Sequence, residues 1–147
     1  MAATRSATVT WDGDLTSGSG TVSAGTSQLF TDVPISWSSR TEEPEGRTSP
    51  EELLAAAHAS CFAMALSGVL AKAGTPPRHL HAQATVMFDK VDDAWTVVSS
   101  HVEVVGEVPG IDAAAFDAAA EQTKDTCPVS RALRGNVQLS VSASLEE

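Results

Sequence analysis

Two cysteines have the clearest chemical potential in this chain, and their local settings differ. Cys127 precedes Pro128, which disfavours helical backbone at the cysteine and predicts an N-cap position at the start of a short helix. Free N–H groups and the helix dipole stabilise a thiolate there, so local reasoning predicts a reactive thiol at Cys127, with a plain capping role as the alternative. Cys61 lies inside an apolar helical stretch, where a buried cysteine typically serves as a small core residue.

The spacing of the cysteines argues against a compact metal or redox motif. They are 66 positions apart, so neither a CxxC pair nor a zinc knuckle is present. His58 precedes Cys61 by three residues, and these two with Cys127 could form a three-ligand zinc site if the fold brought them together. A single histidine on a buried helix is more often a hydrogen-bonded core residue, and the sequence favours that interpretation.

Arg40 and Glu51 are charged residues at marked positions. Arg40 is predicted to end a strand. The next helix begins at Ser49, with Pro50 in its first position and Glu52 completing a capping box, so Glu51 is the acid that the box leaves unused. From the residues alone, a solvated surface charge is the ordinary interpretation of both.

The elements that must position these residues follow from the periodicity of apolar residues. Strands are predicted at 7–11, 20–23, 28–30 and 35–40, one long helix from Pro50 to about Lys72, a strand pair at 80–89 and 94–105, helices at 112–124 and 128–135, and a strand at 137–145. Because strands and helices do not alternate singly, this order predicts an α+β fold, in a single domain over residues 1–147.

Composition excludes several classes of protein. Nineteen acidic and nine basic residues give a net charge of −10, and without a basic stripe neither nucleic acid nor an anionic membrane surface is an expected partner. The uncharged segment 53–71 approaches the length of a membrane span. Its alanine content and interrupting polar residues favour a helix buried on all sides in a soluble domain. With two cysteines and no apolar leader, we expect a cytoplasmic protein with reduced thiols.

Several motifs together resemble the OsmC/Ohr family of thiol peroxidases, and its OsmC branch more than its Ohr branch. They are the long-helix motif Ser49–Leu66, the second-cysteine motif Cys127–Ser130, and shorter matches at 11–14, 20–23 and 108–112. The resemblance covers nearly the whole chain. It implies an OsmC-like fold, with antiparallel sheets around a long buried central helix, in an intertwined homodimer.

The resemblance also implies an activity, the reduction of organic hydroperoxides, with hydrogen peroxide as a further candidate. Cys61 would be the peroxidatic residue and Cys127 the resolving one, which reverses the ranking from local reasoning. Arg40 would stabilise the Cys61 thiolate, and Glu51 would hold that arginine in place; a buried thiol needs such a cation because desolvation raises its pKa. The resemblance implies that an external dithiol of lipoyl type would restore both thiols, with no metal, flavin or haem.

Helix geometry adds an inference about assembly. On one straight helix, Glu51 and Cys61 would be about 15 Å apart along the axis and would point roughly 80° apart. Glu51 could instead serve the Cys61 of a second, antiparallel subunit, which predicts an obligate homodimer with active sites at the interface. Phe62, Met64, Leu66 and the two tryptophans near the first strands are candidates for lining an apolar substrate pocket.

A different class of function also fits the pattern. The same α+β dimer could hold a small apolar ligand without catalysis, with Cys61 and Cys127 as structural thiols. Pairing of the two cysteines on oxidation would distinguish a peroxidase from such a binding protein. Stoichiometric metal in the purified protein would instead indicate the zinc site.

Overall fold

The computed structural model describes residues 1–146, which group into two compact units, Met1–Leu53 and the residues from Leu54 onward. The expected single domain over 1–147 stays a prediction, and each unit is described by itself. The elements are β1 (Ala7–Asp12), β2 (Ser19–Ala24), β3 (Val33–Ile35), α1 (Ser38–Thr41), α2 (Pro50–Lys72), β4 (His79–Val91), β5 (Ala94–Glu107), α3 (Ala113–Thr126), α4 (Pro128–Leu133) and β6 (Gln138–Leu145). The predicted α+β class is confirmed.

The first unit contains an antiparallel sheet in the order β1-β2-β3. Gly20 pairs with Trp11 across β1 and β2, and a Cβ at Gly20 would lie 2.6 Å from the indole ring. Only glycine allows the ring to lie this close to the backbone of β2. Trp11 thus has a fixed place on the sheet, with its Nε1 donating to the carbonyl of Gly13 at 3.1 Å.

Two of the predicted strands in this unit are wrong. Residues 28–30 form no strand: residues 29 and 30 form a bend, and Gln28 has a φ of 57°, which an extended strand does not allow. Arg40 does not end a strand, because β3 stops at Ile35 and Arg40 lies in α1. The reason is local: the amides of Ser36 and Ser39 each donate to the other residue's hydroxyl, at 3.2 and 3.1 Å, which favours a helical turn over a strand.

The second unit contains a sheet in the order β4-β5-β6. The hairpin β4-β5 turns through Asp92 and Asp93, both with positive φ, as a two-residue turn of twisted strands requires. The β5-β6 pair is parallel rather than antiparallel, since α3 and α4 form the crossover between these strands. The core lies between this sheet and the helices, and its fully buried side chains include Phe62, Leu66, Leu70, Val102, Val104, Phe116 and Ala120.

Helix α2 has the predicted limits. Ser49 Oγ accepts from the amide of Glu52 at 3.1 Å, as expected of an N-cap, while the Glu52 carboxylate accepts from the Thr48 hydroxyl at 2.6 Å. At the other end, Gly74 has a φ of 87° and the Thr75 amide returns to the carbonyl of Leu70, which closes the helix.

The expectation that α2 is buried on all sides is wrong for the single chain. Phe62 and Leu66 are fully buried, but Met64 is 76% exposed, and the small residues Ala57 and Ser60 are exposed with it. Because alanine, serine and glycine occur on every side of α2, the sequence does not show which face is buried and which is exposed. Among the described residues α2 is the one helix long and apolar enough to cross a membrane, yet its buried side chains pack into a protein core.

Candidate active site

Cys127 lies at the junction of two helices, as predicted. Its amide donates to the carbonyl of Thr123 at 2.9 Å and closes α3, while its own carbonyl accepts from the amide of Arg131 at 2.9 Å and opens α4. The backbone at Cys127 is extended, with φ −55° and ψ 130°, because Pro128 follows. This kink turns the fully buried Cys127 side chain away from the path of either helix and into the core of the second unit.

The fold brings the two cysteines together. Both are free thiols; Cys127 belongs to the buried core and Cys61 packs against that core, near enough to the Cys127 thiol and the backbone N–H of Val129 for both to shift its pKa. Burial raises the pKa of Cys61; the Val129 N–H opposes that shift, and the contact with Cys127 raises the pKa further. None of these three influences is a cation, so the thiolate of Cys61 lacks a counter-charge among them.

The free amides at the N-terminus of α4, which local reasoning predicted to stabilise a thiolate at Cys127, influence Cys61 instead. Val129 is the second residue of α4, so its N–H is one of the free amides at the helix N-terminus. The Cys127 side chain makes no capping hydrogen bond to α4, whereas the Val129 N–H lowers the pKa of Cys61. Sequence reasoning missed this amide, and no signal in the sequence connects residues 61 and 129.

Arg40 and Glu51 form a two-pronged ion pair within the first unit. Arg40 Nε donates to Glu51 Oε1 at 3.0 Å, and Nη2 donates to Oε2 at 2.9 Å. Glu51 is buried, the arginine side chain is 27% exposed, and the guanidinium also lies 5.3 Å from the centre of the Trp37 ring. Such a fork holds the guanidinium plane in one orientation, as a site for a thiolate or a polar substrate requires.

A cavity of about 300 Å³ lies beside this ion pair. Both tryptophans named from the sequence contribute to its wall, which comprises Trp11, Leu15, Ile35, Ser36, Trp37, Arg40 and Pro50. The three other predicted pocket residues do not belong to this wall: Phe62 and Leu66 are fully buried in the core of the second unit, and Met64 is exposed. The first unit thus presents an apolar cavity with a guanidinium at its edge.

Comparison with known proteins places these features in a family. Residues 41–142 match the family model described as OsmC-like protein. The chain belongs to the OsmC-like family. A similar relative is peroxiredoxin OsmC of Escherichia coli, 41% identical over 129 residues, which are 88% of this chain and 89% of the relative. An organic hydroperoxide resistance protein of Xanthomonas axonopodis pv. citri is 30% identical over 65% of this chain and 66% of its own length.

Solved structures of the OsmC-like family have the same fold. An organic hydroperoxide resistance protein OsmC from Legionella pneumophila has a TM-score of 0.68 at 23% identity, over 97% of this chain and 99% of that one. An OsmC-like protein from Mycoplasma pneumoniae has a TM-score of 0.74 at 14% identity, over the whole of both chains. The resemblance to the OsmC branch drawn from the motifs is confirmed.

His58 of this OsmC-like chain is a hydrogen-bonded core residue. Its two ring nitrogens lie 2.6 Å from Ser100 Oγ and 2.9 Å from Ser130 Oγ, and burial lowers its pKa. Across residues 1–146, no three His, Cys, Asp or Glu side chains are grouped closely enough to hold a metal ion. The zinc site formed by His58, Cys61 and Cys127 therefore finds no support in the geometry.

Proposed function

We propose that this protein is a cysteine-based peroxidase that reduces organic hydroperoxides to alcohols. The observation that carries the proposal is the proximity of Cys61 to the buried Cys127, with the Val129 amide of α4 near enough to lower the pKa of Cys61. Names of relatives point the same way, since they include a peroxiredoxin and organic hydroperoxide resistance proteins. Two adjacent thiols can supply both electrons that a peroxide bond takes up, so the cycle requires no metal, flavin or haem.

In the first step, the Cys61 thiolate attacks the distal oxygen of the hydroperoxide. A sulfur–oxygen bond forms, the O–O bond breaks, and the leaving alkoxide takes a proton and departs as the alcohol. Sulfur is oxidised by two electrons to a sulfenic acid. The Val129 amide favours the thiolate that starts this step, while burial opposes it.

In the second step, Cys127 condenses with the sulfenic acid. Its thiol loses a proton, its sulfur bonds to the sulfur of Cys61, and the S–O bond breaks to release water. An external dithiol, which we assign to the lipoyl class, either free or on a protein, then reduces the disulfide by thiol exchange. The contact between the two thiols in the reduced chain supports fast closure of this disulfide.

Among the described residues, no cation is one of the groups that shift the pKa of Cys61, and this supports a homodimer. Glu51 and Cys61 are ten residues apart on the unbroken helix α2, a rise of about 15 Å, so we assign the Arg40–Glu51 pair to the Cys61 of a second, antiparallel subunit. The exposed face of α2, with Met64 and small residues, is suited to close helix packing against a second copy. Light scattering at micromolar concentration tests this assignment, and a monomer would contradict it.

The cavity beside Arg40 supports organic over inorganic peroxide as the substrate. Trp11, Trp37 and Ile35 offer apolar surface to an alkyl or aryl group, and the guanidinium of Arg40 can hydrogen-bond the peroxide oxygens. The same cavity would suit a non-catalytic protein that binds a small apolar ligand, so the experiment must distinguish the two. We place the protein in the cytoplasm, where reducing conditions keep both thiols ready.

A count of free thiols tests the proposed function. Reduced protein is assayed before and after one equivalent of cumene hydroperoxide, with hydrogen peroxide in parallel. We expect rapid loss of both thiols to one intramolecular disulfide, faster with the organic peroxide. Cys127→Ser should accumulate a sulfenic acid that dimedone traps on Cys61, and Cys61→Ser should keep its remaining thiol. Survival of both thiols in the unmodified protein would refute the peroxidase and favour the ligand-binding protein.

A further inference from the structure

A buried histidine connects the two segments that carry the cysteines. His58 is 1% exposed, and its ring lies between two serines that are equally buried, Ser100 and Ser130. The distances are 2.6 Å from Nδ1 to Ser100 Oγ and 2.9 Å from Nε2 to Ser130 Oγ. One ring therefore joins α2, β5 and α4, and the cycle described above uses none of these three side chains.

The positions of His58 and Ser130 relative to the thiols are matched. His58 precedes Cys61 by three residues on α2, and Ser130 follows Cys127 by three residues at the start of α4. Three residues make nearly one helical turn, so each hydrogen-bonding partner lies one turn from its cysteine. With six residues, α4 is too short to be stable alone and depends on tertiary contacts for its orientation.

The bridge is well suited to hold one geometry. Burial lowers the pKa of His58, so near neutral pH the ring is uncharged, with one nitrogen donating and the other accepting. A serine hydroxyl can do either, so both contacts are satisfied whichever tautomer is present. Displacing Ser130 would leave a polar nitrogen unpaired in a dry core, and this cost resists movement of α4.

We propose that His58 is a positioning residue for disulfide formation, acting through Ser130 to hold the start of α4 so that Cys127 faces Cys61. The inference rests on the proposed function and concerns its second step. The two sulfurs must approach to about 2.05 Å while the S–O bond breaks and water leaves, so a small shift of α4 slows this step strongly. The electrostatic effect of the Val129 amide on Cys61 tolerates a larger shift than a covalent bond does, so peroxide reduction keeps nearly its full rate.

A matched pair of serine variants tests the proposal. Ser130→Ala and Ser100→Ala each remove one buried hydroxyl from the same ring, but only Ser130 belongs to the helix after Cys127. Each variant receives one equivalent of cumene hydroperoxide, with quenched samples labelled by dimedone and analysed by mass spectrometry. We expect Ser130→Ala to form the disulfide about tenfold more slowly, with sulfenic acid accumulating on Cys61, and Ser100→Ala to stay within about threefold of the unmodified rate.

Substitution of His58 itself gives an independent measurement should either serine variant fail to fold. Glutamine carries its amide at the ε position and can reach Ser130, whereas asparagine carries it at the δ position and can reach Ser100. We therefore expect rapid disulfide formation in His58→Gln and slow formation in His58→Asn. If His58→Gln forms the disulfide rapidly and His58→Asn does not, His58 acts by positioning α4 rather than by a general contribution to the core.

The outcomes distinguish failure of this inference from failure of the proposed function. Disulfide formation at the unmodified rate in Ser130→Ala, or equal slowing in Ser100→Ala, would overturn the role of the bridge. Equal rates in His58→Gln and His58→Asn would overturn it as well. If the unmodified protein forms neither sulfenic acid nor disulfide, the peroxidase itself is refuted.

Discussion

Replacement of Glu51 by glutamine tests the ion pair on which the proposed site depends. The substitution keeps the size of the side chain and one acceptor oxygen but removes the charge. Toward residue 51, Arg40 then keeps at most one hydrogen bond, to a neutral amide oxygen, in place of two bonds to a carboxylate at 3.0 and 2.9 Å. The guanidinium loses the planar fork that fixes its orientation.

The expected loss of stability follows from the burial of the two partners. Breaking a fully buried pair costs about 3–5 kcal/mol, because one charge is left without compensation. The Glu51 side chain is 9% exposed but that of Arg40 is 27% exposed, so water partly solvates the remaining guanidinium. We therefore expect the free energy of unfolding to fall by about 2 kcal/mol.

The same substitution should slow the chemistry. Under the proposed function, Arg40 stabilises the Cys61 thiolate of a second subunit, and an arginine that is no longer held in place does so less. A loss of about 1.4 kcal/mol in this stabilisation slows oxidation of Cys61 about tenfold. Stopped-flow loss of the Cys61 thiol with cumene hydroperoxide measures this rate. Urea denaturation of the reduced protein measures the stability.

The neighbouring acid provides the control. Glu52→Gln makes the identical change one position away, at an exposed side chain whose bond from the Thr48 hydroxyl an amide oxygen can also accept. We expect Glu52→Gln to stay within about 0.5 kcal/mol of the unmodified stability and to react at its rate. The reasoning is refuted if Glu51→Gln resembles Glu52→Gln in both measurements.

Two further predictions concern stability alone. Burial lowers the pKa of His58 in the folded chain. As the pH falls below about 6.5, the unfolded chain therefore binds a proton that the folded chain does not. The free energy of unfolding should then fall by up to about 1.4 kcal/mol per pH unit. Urea denaturation between pH 7 and 5 measures this slope, which should flatten in His58→Gln; an unchanged slope would contradict the assignment. Asp112→Ala removes the side-chain acceptor, 2.8 Å from the Ala115 amide, that caps α3, and should cost about 1 kcal/mol, against little change for the exposed Asp117→Ala.

Much of the fold could be predicted because its signals are local. The limits of α2, the Asp112 cap and the turn at Asp92–Asp93 each depend on residues adjacent in sequence. The two wrong strand predictions in the first unit also came from reading local patterns. Three residues, 28–30, are too few to show a reliable alternation of apolar and polar side chains. The serines around Arg40 hydrogen-bond to one another, which an alternating pattern does not reveal.

The candidate site could be predicted only in part. Residue types and motifs pointed to Cys61, Cys127, Arg40 and Glu51, and the ion pair between the last two joins residues only eleven positions apart. The ranking of the thiols could not be obtained locally. An N-cap cysteine suggested Cys127, whereas the free amide of α4 is directed at Cys61.

By itself, then, the sequence determined the helices α2, α3 and α4, the Ser49 and Asp112 caps, the β4-β5 hairpin and the identity of the reactive side chains, since these depend on neighbouring residues and on side-chain chemistry. Tertiary structure alone decided that Cys61 meets Cys127 across 66 positions, and that His58 finds serines 42 and 72 positions away. It also decided which face of α2 is open. Desolvation and hydrogen bonding at a thiol depend on whatever the packing places against it, and that packing is settled by the whole core.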